Sequence, residues 1–244
     1  MAKGLSRFFV RRALKEANQV AAVSEFAKGI LSNNGIVRSV FAIPNGVNLP
    51  EKMTLRERHS DKLVLITIGS VTRRKGQHNV VAALPDMIRR FGNVEYHMVG
   101  IPRDRDKIEG LTHKLGISDC VFLHGAVSDE ERDKLILQAD IFIMLSENLP
   151  DGDVEGFGIA VLEANSFGLP AIGSRNTGIE QAISHGSSGC LVDARNSDDI
   201  CDSIELILAD YSKFSQGAIA WARQHEWNKI GDRYLALMEG VDRA

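Results

Sequence analysis

Asp151-Gly152-Asp153-Val154-Glu155-Gly156-Phe157-Gly158-Ile159-Ala160-Val161-Leu162-Glu163-Ala164 is a polar loop that passes through a Gly-Phe-Gly turn into an apolar helix. The glycines let backbone approach a ligand closely, and the first turn of a helix offers unpaired N–H groups to an anion. Gly156 and Glu163 are seven residues apart, which on one continuous helix sets them about 20° from each other. On that geometry Glu155 and Glu163 reach two parts of one ligand whose phosphates lie at the helix end. Carboxylates beside a phosphate seat make sense if they grip hydroxyls, and a sugar nucleotide carries both groups. The spacing alone is weak. Glu147 and Glu155 stand as far apart as Glu155 and Glu163, and two solvated carboxylates are the commoner meaning of such a pair. Glu163 stands out because Val161, Leu162 and Ala164 flank it on an apolar helix, where a solvated carboxylate is less expected.

Around this stretch the pattern alternates. Residues 63–69 are β-branched and nearly all apolar, the composition of a strand covered on both faces. Further strands are expected at 94–99, 120–123, 141–145, 170–172 and 189–192. Helices are expected at 77–90, 106–115, through 167 from the Gly-Phe-Gly turn, and at 178–183, 198–208, 213–224 and 228–239, with Ser128 and Glu131 forming a capping box for one more. Six strands alternating with helices imply an α/β fold, a Rossmann-like doubly wound parallel sheet. Ligands of such sheets bind outside the carboxyl ends of the strands, so the loops at 69–76, 100, 125 and 147–158 converge on one crevice. Before the main run, 19–24 reads as a strand, Ser24 caps a helix over 25–31 that Asn33-Asn34-Gly35 ends, and 37–43 reads as another strand. Pro44-Asn45-Gly46 breaks it, and the domain boundary falls inside 44–61.

The chain has 244 residues, 44% hydrophobic and 25% charged, with a net charge of −3. That balance is ordinary for a globular protein and gives no electrostatic case for nucleic acid. Cys120, Cys190 and Cys201 are widely spaced and read as reduced, mostly buried thiols of a cytoplasmic protein. No stretch is apolar enough to span a bilayer. Leu5, Phe8, Phe9 and Leu14 fall at helical spacing among Lys3, Arg7, Arg11, Arg12 and Lys15. This basic amphipathic start reads either as a helix packed on protein or as a peripheral contact at the inner membrane face.

A diphosphate needs cations, and Lys75 with Arg73 or Arg74 lies between the first main strand and its helix. The spacing is not that of the nucleoside triphosphatase phosphate loop. A helix N-terminus contributes about 0.3–1 kcal/mol, up to ~2 when partly buried, whereas micromolar binding needs about 8 kcal/mol. Charge-assisted contacts of about 1.5–3 kcal/mol each from Lys75, an arginine, Glu155 and Glu163 cover the difference. Alone, Arg73-Arg74-Lys75 reads equally as a solvated basic turn. His124 reads as structural before it reads as a base-pocket residue, and Asp151 and Asp153 read as solvated, so no metal is expected. Trp221, Trp227 and Tyr234 read as core residues of the last helices.

From about residue 20 to 234 the chain resembles the retaining family-4 glycosyltransferases, which have two Rossmann-like domains (the GT-B fold). The resemblance rests on Ile43-Pro44-Asn45-Gly46-Val47, Gly69 through Lys75-Gly76, Val121-Phe122-Leu123-His124-Gly125, Ala139-Asp140-Ile141, Glu155-Gly156-Phe157-Gly158 to Glu163-Ala164, Gly168-Leu169-Pro170, Gly178-Ile179-Glu180 and Gly189-Cys190-Leu191-Val192, in that order. It implies a hexosyltransferase moving a hexose from a UDP- or GDP-linked donor to an acceptor hydroxyl on a glycan, lipid or small molecule, with no cofactor. It implies that Glu155 binds the donor sugar hydroxyls, that Gly156, Phe157 and Gly158 present amides to sugar and diphosphate, and that Glu163 holds the ribose. Lys75 would neutralise the diphosphate, so Lys75 and Glu155 are the expected catalytic residues. The family usually has an arginine after the glycine at 69; here it is Ser70, with Arg73 or Arg74 as the substitute. Gly69, Ser70 and Arg74 complete the expected donor site.

The resemblance also divides the chain. Residues 1–43 match only the tail of the acceptor domain, 44–61 a linker, 62–225 the donor domain and 226–244 the crossing helix. The chain then reads as a donor-binding half: a fragment, a truncated product or a subunit of a split enzyme with an N-terminal-domain partner chain. A non-catalytic sugar-nucleotide-binding subunit is the competing class. A sugar-nucleotide epimerase is a third, for which no feature speaks.

Overall fold

The structure is a computed structural model that describes residues 2–33, 39–51, 53, 55–58 and 61–240. Its first elements are α1 (Ala2–Glu16), β1 (Val20–Ala22), α2 (Glu25–Asn33) and β2 (Val40–Ala42). β1 and β2 pair in parallel as a small sheet of their own. Ser24 caps α2, its Oγ accepting from the Ala27 amide at 2.9 Å. The expected stop at Asn34-Gly35 and residues 37–38 of the expected strand lie outside the described residues. Leu14 packs against Val20, Ala22 and Val40, while Phe8, Phe9 and Val10 of α1 are exposed.

The main sheet contains β3 (Leu63–Ile68), β4 (Val94–Val99), β5 (Val121–Gly125), β6 (Ile141–Met144), β7 (Ala171–Ser174) and β8 (Gly189–Val192). All pairs are parallel, in the order β5-β4-β3-β6-β7-β8. The chain winds outward from β3 to β5, recrosses to β6 and winds outward the other way. The loops after β3 and β6 therefore leave in opposite directions and open a crevice between them. Around the sheet lie α3 (Gln77–Phe91), α4 (Arg105–Leu115), α5 (Asp129–Gln138), α6 (Ile159–Ser166), α7 (Ser197–Ala209), α8 (Tyr211–Gln224) and α9 (Trp227–Met238). Alternate residues of β3 serve two cores. Leu63 and Leu65 pack with Leu84, Met87 and Ile204 on one face, and Ile66 packs with Phe142, Val161 and Leu162 on the other. Both faces are dry, as an all-parallel sheet requires.

Several elements differ from the expectation. α6 starts at Ile159, because Gly158 at φ 84° lies in the left-handed region and interrupts the helix. Residues 155–158 are thus an open turn, and the helical-face relation expected between Gly156 and Glu163 does not hold. Residues 178–182 form a 3-10 turn rather than an α-helix. Trp227 is 43% exposed and is not a core residue. Trp221 is half-buried and donates to the Ala182 carbonyl at 2.9 Å. Cys190 and Cys201 are buried free thiols, and Cys120 is half-buried. No helix among the described residues is long and apolar enough to cross a membrane.

Arg56, in the segment between β2 and β3, ties that segment to the end of α5. Its guanidinium donates to the carbonyls of Ile136 at 3.1 Å, Leu137 at 2.7 Å and Ala139. These oxygens gather at the end of α5, where helix carbonyls lack partners and a cation is favoured. Arg56→Ala is expected to destabilise the chain by about 1.5–3 kcal/mol. Urea unfolding checks this: the midpoint falls while the denaturant slope stays the same.

Candidate functional site

The loop after β3 is shaped by its own short-range bonds. Gln77 opens α3 and folds back, its Nε2 donating to the Ser70 carbonyl at 3.2 Å and its Oε1 accepting from the Thr72 amide at 3.3 Å. Arg73–Lys75 form a 3-10 turn capped by Thr72, whose Oγ1 accepts from the Lys75 amide. Gly76 ends the turn at φ 75°, and a Cβ there would fall 1.7 Å from the Leu145 carbonyl oxygen. Only glycine lets this turn meet the end of β6. Lys75 then runs across Gly69, its Cε 3.4 Å from where a Cβ of Gly69 would stand.

The loop after β6 meets this turn. The Glu147 amide donates to the Arg74 carbonyl at 2.9 Å. Asp151 is used internally, its Oδ1 accepting from the Asp153 amide at 3.1 Å. Asp153 faces Arg74 at 3.1 Å. Glu155 is buried, at 8% exposure. Its carboxylate accepts from Lys75 Nζ at 2.8 Å and from Arg74. Such a carboxylate would be strongly destabilised without its cations. The structure thus brings Gly69, Arg74, Lys75 and Glu155 together. The Ser70 carbonyl is taken by Gln77, and Arg73 turns the other way, to Glu147.

Beyond Glu155 the carbonyls are anchored and the amides are not. Gly178 N donates to the Glu155 carbonyl at 3.0 Å, and Ser24 Oγ donates to the Gly156 carbonyl at 2.6 Å. A Cβ on Gly178 would lie 2.3 Å from the Glu155 oxygen and from Gly156, so this contact is reserved for glycine. Among the described residues, none accepts from the amides of Gly156, Phe157 and Gly158. These three residues lead into α6, and unpaired N–H groups at the start of a helix suit an anion. Phe157 is buried at 2% exposure, with its ring 6.1 Å from that of His225.

Glu163 lies one helical turn after Ile159, and both line a cavity of about 390 Å³. Asn48, Asp129, Arg132 and Trp227 are further walls. Glu155 is not among those walls. Ser24 and Gly178 were not legible as site residues. Ser24 signals only a helix cap, and nothing in the sequence shows that its hydroxyl also reaches across 132 residues to Gly156. His124 stacks on His97, with ring centroids 5.1 Å apart and Nε2 2.9 Å from His97 Nδ1. Among the described residues, no group of three or more His, Cys, Asp or Glu is placed to hold a metal.

The model of the group 1 glycosyl transferases matches residues 51–225, and the chain belongs to this family. It is 28% identical over 255 residues to the GDP-mannose-dependent alpha-(1-6)-phosphatidylinositol monomannoside mannosyltransferase of Mycobacterium tuberculosis, covering 98% of this chain and 66% of that enzyme. With the D-inositol 3-phosphate glycosyltransferase of Corynebacterium urealyticum it shares 27% identity over 71% of this chain and 42% of the other. The chain thus spans at most about two thirds of the length of these relatives. Anabaena HepE, solved with UDP and glucose, superposes with a TM-score of 0.80 at 21% identity over 96% of this chain and 66% of that one. Sucrose-phosphate synthase of Thermosynechococcus elongatus gives 0.78 at 21% identity, over 95% and 60%. The fold is that of the C-terminal half of the GT-B glycosyltransferases.

Burial pulls His78, His97 and His225 below the ordinary histidine value of 6.5. Each is neutral in the fold at a pH where the unfolded chain already binds a proton. Their contribution to stability is therefore complete above 6.5 and is lost as pH falls through the folded values. The urea midpoint is expected to be lower at about pH 5.5 than at about pH 7.5, and His225→Gln is expected to flatten that dependence.

Proposed function

We propose that this chain is the donor-binding half of a retaining hexosyltransferase that takes a UDP- or GDP-linked sugar. The observation that carries the reading is the continuity of two features: the carboxylate of Glu155, held by Lys75 and Arg74, and the three open amides of Gly156, Phe157 and Gly158 directly after it. Cations and amides suit a diphosphate, and a carboxylate suits hydroxyls. On donor entry the diphosphate takes over Lys75, Arg74 and the amides, and Glu155 accepts hydrogen bonds from the hexose. Glu163 accepts from the ribose on the far side of Ile159. In the reaction the bond from the anomeric carbon to the diphosphate oxygen breaks, its electron pair stays on the diphosphate, and the acceptor hydroxyl oxygen bonds the same carbon while its proton passes to the departing diphosphate. Lys75, Arg74 and the amides hold that charge in a partly dry site, where fixed dipoles act most strongly. No metal takes part in this scheme.

The rest of the reading concerns the whole enzyme. Residues 1–43 are the tail of the acceptor domain, 44–61 the linker, 62–225 the donor domain and 226–244 the crossing helix. The remaining acceptor-domain residues come from the same longer chain or from a partner chain, and the acceptor is a glycan, lipid or small molecule. The enzyme works in the cytoplasm, with α1 available for a peripheral contact at the inner membrane face.

Calorimetric titration with UDP, GDP and ADP, and with the UDP- and GDP-hexoses, tests the proposal. One uridine or guanosine pair is expected to bind, with the sugar nucleotide at least as tight as the free diphosphate. Glu155→Gln is expected to weaken the sugar nucleotide about tenfold more than the free diphosphate, and Glu163→Gln to weaken both. Equal losses for Glu155→Gln would remove its sugar role, and no binding by the unaltered chain would remove the donor reading.

A further inference from the structure

Glu147 shares the eight-residue step that separates Glu155 from Glu163, yet it takes no part in the donor scheme. Its side chain is 10% exposed, which is unusual for a carboxylate outside a site. Four side chains from three parts of the fold converge on it. Oε1 accepts from Arg195 Nη2 at 3.0 Å and from Asn79 Nδ2 at 3.3 Å. Oε2 faces Arg73 Nε and His78 Nε2, each at 3.6 Å. Its amide donates to the Arg74 carbonyl at 2.9 Å. Asn79 also donates to the Leu145 carbonyl at 3.0 Å, which ties α3 to the end of β6 behind the carboxylate.

We infer that Glu147 is a positioning residue: it fixes the rotation of the Arg73–Lys75 turn and so sets where Arg74 and Lys75 stand. The inference rests on the donor reading above. In a 3-10 turn successive residues point about 120° apart. Arg73 thus points away from its two neighbours and meets Glu147, while the side chains of Arg74 and Lys75 both reach Glu155. The backbone bond from Glu147 to Arg74 holds the same turn at its other face. Arg195, from the loop after β8, presses on the carboxylate from the solvent side. Burial pushes the Glu147 carboxyl up, but hydrogen bonds from Arg195 and Asn79 and the nearby positive charges outweigh it and hold it below the usual range. The carboxylate is therefore charged when it meets Arg73. A residue that only stabilised the fold would have no reason to divide three consecutive cations between two carboxylates.

The test measures the affinity of UDP, GDP, UMP and GMP for the chain and for Glu147→Gln, Glu147→Ala, Lys75→Ala and the double variant Glu147→Gln/Lys75→Ala. Gln keeps the shape of the side chain and the backbone bond, so it reports even if the Ala variant does not fold. The expected result is a loss of about tenfold for the diphosphate that binds, with the matching monophosphate unchanged. In the Lys75→Ala background Glu147→Gln is expected to have little further effect, because coupled residues are not additive. Unchanged diphosphate affinity, equal loss for mono- and diphosphate, or full additivity with Lys75→Ala would overturn the inference. If Lys75→Ala itself leaves diphosphate affinity intact, the donor reading falls, and this inference with it.

Discussion

Glu155, a carboxylate buried between two cations, sets the shape of the crevice. Lys75 and Arg74 come from the turn after β3, and Glu155 comes from the loop after β6. These two strands are neighbours in the sheet but are far apart in the chain. The pairing therefore joins the two halves of the doubly wound sheet at the point where the strand order reverses. Burying one charge without the others would be strongly unfavourable, so the three groups stand or fall together. A ligand that takes the cations must also give the carboxylate something to hold, and that requirement is chemical selectivity.

Backbone contacts make the pairing possible. Gly76 lets the basic turn press against Leu145, and Gly178 lets the turn after β7 press against Glu155 and Gly156. Together with the Ser24 hydroxyl, these contacts occupy the carbonyl side of residues 155–156, while the amides of 156–158 have no acceptor among the described residues. Gly158 then stops α6 from extending backward over those amides. The arrangement of residues 155–158 is thus produced by where the glycines fall, against the apolar helix that follows.

Much of the architecture was legible in the sequence, because both-face burial writes itself as unbroken apolar runs. β4 and β8 fall on the expected residues, and β3 and α3 differ by a residue at one end. The crevice was legible because every strand ends on the same side. The start of α6 was not, since Gly-Phe-Gly is compatible with a helical or an open turn, and only the sign of φ at Gly158 separates them. The side-by-side reach of Glu155 and Glu163 depended on that helix, and Glu163 instead lines a cavity that does not include Glu155. Which of Arg73 and Arg74 faces Glu155 was equally hidden, because the carboxylates they meet come from the loop after β6, far away in the chain. Trp227 was misread as core for a similar reason. Its ring lies over Gly46, a long-range contact that helical spacing does not record.

A crystal structure of the chain with the UDP- or GDP-hexose that binds it tests the central claim most directly. The account predicts diphosphate oxygens on Lys75, Arg74 and the amides of 156–158, with Glu155 released from the cations and on the sugar hydroxyls. A donor bound elsewhere, or one bound while Glu155 still holds Lys75 and Arg74, would contradict it.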